Sequence, residues 1–260
     1  MSGASRNFKK PPLVEVYCEF IFDPTEGEDW DGLRISDFMG RIGSSYSQRR
    51  MLPFGGGRTQ LYDEEQVTWE PFDPRETVPL FRFTTDDGGT TVQVGENLLV
   101  VNQLPPYYGW GNFMPKVLEA VWAYAETWRP QRVAQAYLHY IDRIFIPEND
   151  FEFRDYFNLY PVLPEHFNRP YTNLSLSFDM EGCGKGDVLS VALQQDSSAN
   201  PDGMTFLLNW DYGSTEPVEL GQDLQDMIEW LETAHGCCSA HFDLLFTERC
   251  FALFEPGGGS

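Results

Sequence analysis

Positive charge is scarce in this 260-residue sequence: eighteen Lys and Arg stand against forty Asp and Glu, a formal net charge of −22. Nucleic-acid affinity comes mainly from Lys and Arg neutralising phosphates, so direct nucleic-acid binding is not expected. Long apolar runs are missing too, which argues against a membrane-spanning segment. The first residues, "MSGASRNFKK", lack the apolar centre of a secretory signal. There is no G-K-[ST] phosphate loop and no G-x-S-x-G nucleophile elbow. The five cysteines (Cys18, Cys183, Cys237, Cys238 and Cys250) are an odd number without regular spacing. Reduced thiols in a cytoplasmic protein are the expectation.

What is present is a folding composition, 42% hydrophobic and 15% aromatic, which excludes a mostly disordered chain. "PPLVEVYCEFIF" places Val14, Val16, Cys18, Phe20 and Phe22 on one face and predicts a strand. "DWDGLRISDFMGRIGSSY" approximates a helical stripe, "MLPFGGGR" reads as a loop and "TQLYDEEQVTWEPF" as an irregular strand. "PLFRFTTDDGGTTVQVGENLLVVNQ" predicts two strands turned at "DDGG", where glycine supplies positive φ. "NQLPPYYGWGNF" reads as a stiff strand-to-helix corner, with Asn112 as N-cap of a helix over 113–128 that buries Leu118, Val121 and Trp122. "RVAQAYLHYIDRIFIP" predicts a long strand. Beyond it come a short helix at "DFEFRDYFNLYP", three strands, and a helix over 220–247 burying Leu224, Ile228 and Leu231. The expected fold class is α+β, with two related lobes over 1–148 and 149–256. Each lobe is an antiparallel β-meander covered by a long helix, and residues 257–260 read as a linker remnant.

Four stretches then stand in one order: "PPLVEVYCEFIF", "VQVGENLLVVNQLPPYYGW", "YIDRIFIP" with "DYFNLYPVLPE", and "WLETAHGCCSAHFDLLFTE". Together they resemble a family of bacterial proteins of about this length, sporadically distributed and without an assigned activity. The resemblance spans nearly the whole chain. It implies an arginine and an asparagine around "YIDRI", roughly as "RYINRI", where this chain has His139 and Asp142. The family's patchy distribution implies mobile gene sets such as defence or toxin–antitoxin modules.

Candidate chemistry is thin. In "HGCCSAH" the spacing lets Cys237 or Cys238 share a metal with His241, but four ligands from seven helical residues cannot converge. Packing is the expected role there, and neither metal nor cofactor is expected. Cys183 in "EGCGKGD" reads as an exposed hairpin tip without a neighbouring base. "FGGGR" reads as a flexible loop, and the acidic run "DPTEGEDWD" lacks a calcium-loop register. His139 reads as a satisfied core histidine sharing a face with Tyr137, Ile141 and Arg143. The residues singled out for partner binding are Tyr107, Tyr108, Trp110 and Arg143, because Tyr and Trp bind with little entropy loss and Arg is a strong multidentate donor. The leading functional reading is a non-enzymatic binding or regulatory subunit for a protein partner with a basic surface. One alternative is a metal-dependent phosphodiester enzyme using Asp142, Asp179 or Asp211 with Arg143. The other is a small-molecule sensor with a pocket between sheet and C-terminal helix.

Overall fold

The computed structural model describes residues 8–23, 32–55, 77–162, 173–196, 202–221 and 223–255. Alternation along Leu13–Phe22 (β1) buries Val16, Cys18, Phe20 and Phe22 on one face, as the sequence predicts, whereas Val14, expected with them, is half-buried at a register shift between Leu13 and Glu15. After a short helix, Ile35–Arg41 (α1), come β2 (Gln48–Gly55), β3 (Thr77–Thr84), β4 (Thr90–Gly95) and β5 (Leu98–Gln103). Helix α2 (Trp110–Trp128) leads to the long strand β6 (Arg132–Ile146). The remainder is β7 (Ser175–Glu181), β8 (Val188–Gln195), β9 (Met204–Gly213), β10 (Val218–Glu219), α3 (Gln225–Leu245) and α4 (Glu248–Leu253).

All the described strands belong to one antiparallel sheet, in the order β2-β3-β4-β5-β1-β6-β9-β8-β7, with β10 pairing to β6. The two expected meanders are therefore wings of a single sheet rather than two sheets. Strand β1 joins them, because it is bonded to β5 on one side and to β6 on the other. Helix α2 packs on β5, and α3 on β6, β9 and β10, with the two helices also in contact. Both helices cover the face that carries Val16, Cys18, Phe20, Leu138, Leu208 and Trp210.

Local details correct several expectations. Residues 51–55 of "MLPFGGGR" belong to β2, paired along its length with β3. The short helix at "DFEFRDYFNLYP" is a single tight turn, Phe153–Asp155. The "TQLYDEEQVTWEPF" strand, at 59–72, lies outside the described residues. Helix α2 starts before Asn112: its N-cap is Gly109 at φ 90°, a backbone region that glycine enters without steric cost. Asn112 sits inside the first turn and donates from Nδ2 to Tyr108 O at 2.7 Å. Trp122, expected in the core, is 43% exposed, with the Arg41 guanidinium over its ring. Phe113, Val117, Val121 and Tyr124 carry the buried stripe instead, with Leu118 half-buried. In the C-terminal helix Leu224 and Leu231 are buried and Ile228 is half-buried.

The cysteines also differ from expectation. Cys183, in the turn between β7 and β8, is disulfide-bonded to Cys237 of α3, with Cα atoms 5.8 Å apart, inside the range that a disulfide spans. Cys18, Cys238 and Cys250 are free and buried. Burial pushes their thiols up, Cys250 to about 12, so they behave as small apolar groups.

Candidate ligand cavity

The long strand β6 alternates sides. Ala136, Leu138, Ile144 and Ile146 are fully buried beneath the helices, and alternation puts Tyr140 and Asp142 on that same face. An aspartate in this row is chemically out of place. Asp142 is 3% exposed, and its Oδ2 accepts a hydrogen bond from Trp210 Nε1 at 3.2 Å. Among the described residues no Lys or Arg is ion-paired with it. Desolvation raises its pKa to about 7, opposed only by the Trp210 hydrogen bond.

The register of β1 shifts between Leu13 and Glu15, beside Asp142 and Ile141, and such bulges re-aim side chains and end regular pairing. Next to this irregularity lies a cavity of about 640 Å³. Its floor is Tyr140, Asp142 and Trp210 of the sheet, and one wall is His235, Cys238, Ser239 and Phe242 of α3. Phe8, Pro11, Pro12 and Leu13 add an N-terminal wall, with Phe8 beside Phe242 at 6.5 Å, and Tyr107, Tyr108 and Gly109 of the corner complete the lining. The N-terminal wall is held in place by two backbone bonds, Lys9 N to Glu255 O and Lys10 N to Phe254 O. Phe8 further stacks on Phe251 and meets Phe254 edge-on.

The polar groups of the cavity form a short chain. Tyr140 Oη and His235 Nδ1 are 2.8 Å apart, and His235 stacks on Trp110 at 4.5 Å. Burial lowers the His235 pKa, which keeps the imidazole neutral. The Tyr107 and Tyr140 phenols perturb one another, yet Tyr107 Oη is buried without a partner of hydrogen-bonding geometry. A buried hydroxyl and a buried carboxylate at one wall are sites where a ligand's donors are worth most.

The residues expected to bind a partner are thus divided. Tyr107 and Tyr108 line the cavity, and Trp110 buttresses His235 from behind. Arg143 is on the other face of the sheet, where Nη2 bonds Asp196 Oδ2 at 3.2 Å. Of the three carboxylates considered for metal chemistry, only Asp142 reaches the cavity. Asp211 contacts His139 Nδ1 at 2.5 Å, and Asp179 accepts from Ser190 Oγ at 2.6 Å, both on the opposite face. Asp179 and Asp211 are separated by the whole of β8, roughly 9–10 Å across two strand spacings. Among the described residues no group of three or more His, Cys, Asp or Glu is placed to hold a metal ion. Cys237 is committed to Cys183, and His241 Nδ1 lies against Cys237 O at 2.8 Å.

His139 departs from the satisfied core histidine that the sequence suggests: it lies buried on the face opposite the helices, stacked on Tyr17 at 4.2 Å, with Nδ1 against Asp211 and, among the described residues, Nε2 without a partner. The residues that sequence reasoning missed are Trp210, His235, Ser239 and Asp142 in its buried role. The signal for Asp142 was available: it occupies the core-facing parity of an otherwise apolar alternation.

Comparison with known proteins adds nothing to this geometry. No family model and no curated protein matches the chain. No helix among the described residues is long and apolar enough to cross a membrane.

Proposed function

We propose that this is a non-enzymatic binding protein whose cavity beneath α3 receives a small molecule. The observation that supports the reading best is Asp142, a carboxylate buried without a counter-charge on the floor of a cavity sized for a ligand. Ligand sites are typically ~300–1,000 Å³, mostly apolar, with few convergent polar groups, and 640 Å³ with this lining fits that description. Catalysis has weaker support. His235 is engaged by Tyr140, and the Cys238 thiol is held protonated, so neither is an activated nucleophile or base. On the motifs that the sequence shares with the sporadic bacterial family, a sensor subunit in a defence-type module is the corresponding biological setting.

The test uses Ser239, exposed on α3 yet lining the cavity. A Ser239→Trp variant is expected to fold normally and to fill the space. In a melting assay against a metabolite extract, fractions should stabilise the wild type, by about 2.7 kcal/mol for a ligand at a hundred times its Kd, and leave the variant unmoved. Equal shifts in both proteins would place the ligand elsewhere, and no shift in either would remove the reading.

A protein partner remains the second reading, favoured by the net charge and by Tyr108, which is 71% exposed at the rim. Its association rate should fall as salt rises, because the Debye length shrinks from ~10 Å at 0.1 M to ~3 Å at 1 M. Tyr108→Ala should raise the dissociation rate, costing on the order of 2 kcal/mol, without lowering the melting temperature. Salt-independent association would reduce the acidic surface to a solubility device.

A further inference from the structure

We propose that the cavity selects a small organic cation, an amine with an apolar or aromatic body, whose nitrogen sits against Asp142 between the rings of Tyr107, Tyr140 and Trp210. This inference rests on the cavity being a ligand site and adds the chemical class of the ligand. Three observations support it together. Among the described residues that line the cavity, Asp142 is the only carboxylate and no Lys or Arg contributes. A bound anion would meet an uncompensated carboxylate in a desolvated space, whereas a bound ammonium would satisfy it. Second, six of the fourteen lining residues carry Phe, Tyr or Trp rings: Phe8, Phe242, Trp210 and the three tyrosines. Aromatic faces attract cations through the ring quadrupole, most strongly when both are desolvated. Third, the whole chain carries a charge of −22, so its field concentrates cations near the surface.

Among the described residues that line the cavity, no cation faces Asp142. Tyr140 flanks it on β6 and Trp210 on β9, while α3 supplies neutral His235 and buried Cys238. The corner supplies Tyr107, and Phe8, Pro11, Pro12 and Leu13 line the N-terminal wall, whose Lys10 pairs with Glu255 outside the lining. The Asp142 carboxyl gains its charge near neutrality, at about pH 7. Cation affinity should therefore strengthen as pH rises from 6 to 8, with the ammonium displacing a proton from Asp142 below that point.

The probes are matched sets measured by calorimetry at pH 8: tryptamine, tryptophol and indole-3-acetate as cation, neutral and anion, and choline against 3,3-dimethyl-1-butanol. At least one cation is expected to bind roughly tenfold or more tightly than its neutral isostere. The anion should be the weakest of its set, and Asp142→Asn should abolish the cation preference while retaining the neutral compound. Neutral probes that bind as tightly as the cations would overturn the charge selectivity and leave the cavity reading standing. Failure of every cation to bind would overturn it as well, and the Ser239→Trp melting comparison then decides separately whether the cavity binds anything. A cation preference that survives in Asp142→Asn would remove Asp142 from the role.

Discussion

Replacing Asp142 by asparagine should stabilise the protein by about 2–3 kcal/mol at pH 8 and destabilise it by about 1–2 kcal/mol at pH 4. The folded carboxyl titrates at about 7, above its ordinary value of 3.8, so the folded chain holds a proton that the unfolded chain releases. Stability contributed by the protonated form is complete below pH ~4, declines as pH rises, and is fully lost above about 7. A gap of about three pH units at ~1.4 kcal/mol each gives an upper value near 4 kcal/mol. An asparagine amide buried without a full set of acceptors takes back ~1–2 kcal/mol of this gain. Urea unfolding of both proteins from pH 4 to 8 reads the difference directly. A gap that stays constant with pH would show that folding leaves the Asp142 carboxyl at its ordinary pKa.

Reduction of the Cys183–Cys237 bond should cost about 4 kcal/mol. The bond closes a loop with a sequence separation of 54, and the loss follows from the freedom returned to the unfolded chain. It also ties the β7–β8 turn to α3, one wall of the cavity. A Cys183→Ser variant should match the reduced wild type in urea unfolding and become insensitive to dithiothreitol. If the oxidised wild type is no more stable than that variant, the two thiols are unbonded in solution and the original expectation of free cysteines holds.

Much of the local structure was legible in the sequence because it follows from periodicity. Alternation in "LVEVYCEFIF" is set by side chains against one core, and so is the 3–4 spacing of α2, although of the expected Leu118, Val121 and Trp122 only Val121 is fully buried, beside Phe113, Val117 and Tyr124. Pairing between distant strands is another matter. Alternation says which face a residue takes but not which strand lies beside it, so the β1–β6 seam that merges both wings into one sheet was invisible. The same holds for Cys183 and Cys237, since connectivity cannot be deduced from spacing alone. Trp122 failed for a narrower reason. It lies at the edge of the apolar stripe, where a large ring can shield itself under Arg41 as readily as in the core. The cavity was legible only in part: Tyr107 and Tyr108 stood out as an aromatic corner, whereas their partners Trp210 and His235 come from strands and helices far along the chain.

The central claim is that the space over Asp142 is a ligand site. Native mass spectrometry of the protein isolated under mild conditions from its own cells tests it most directly, with Ser239→Trp run alongside. The account predicts a single small-molecule adduct, basic in character, on the wild type and its absence from the variant. A wild-type spectrum without any adduct, or an adduct retained equally by Ser239→Trp, would contradict it.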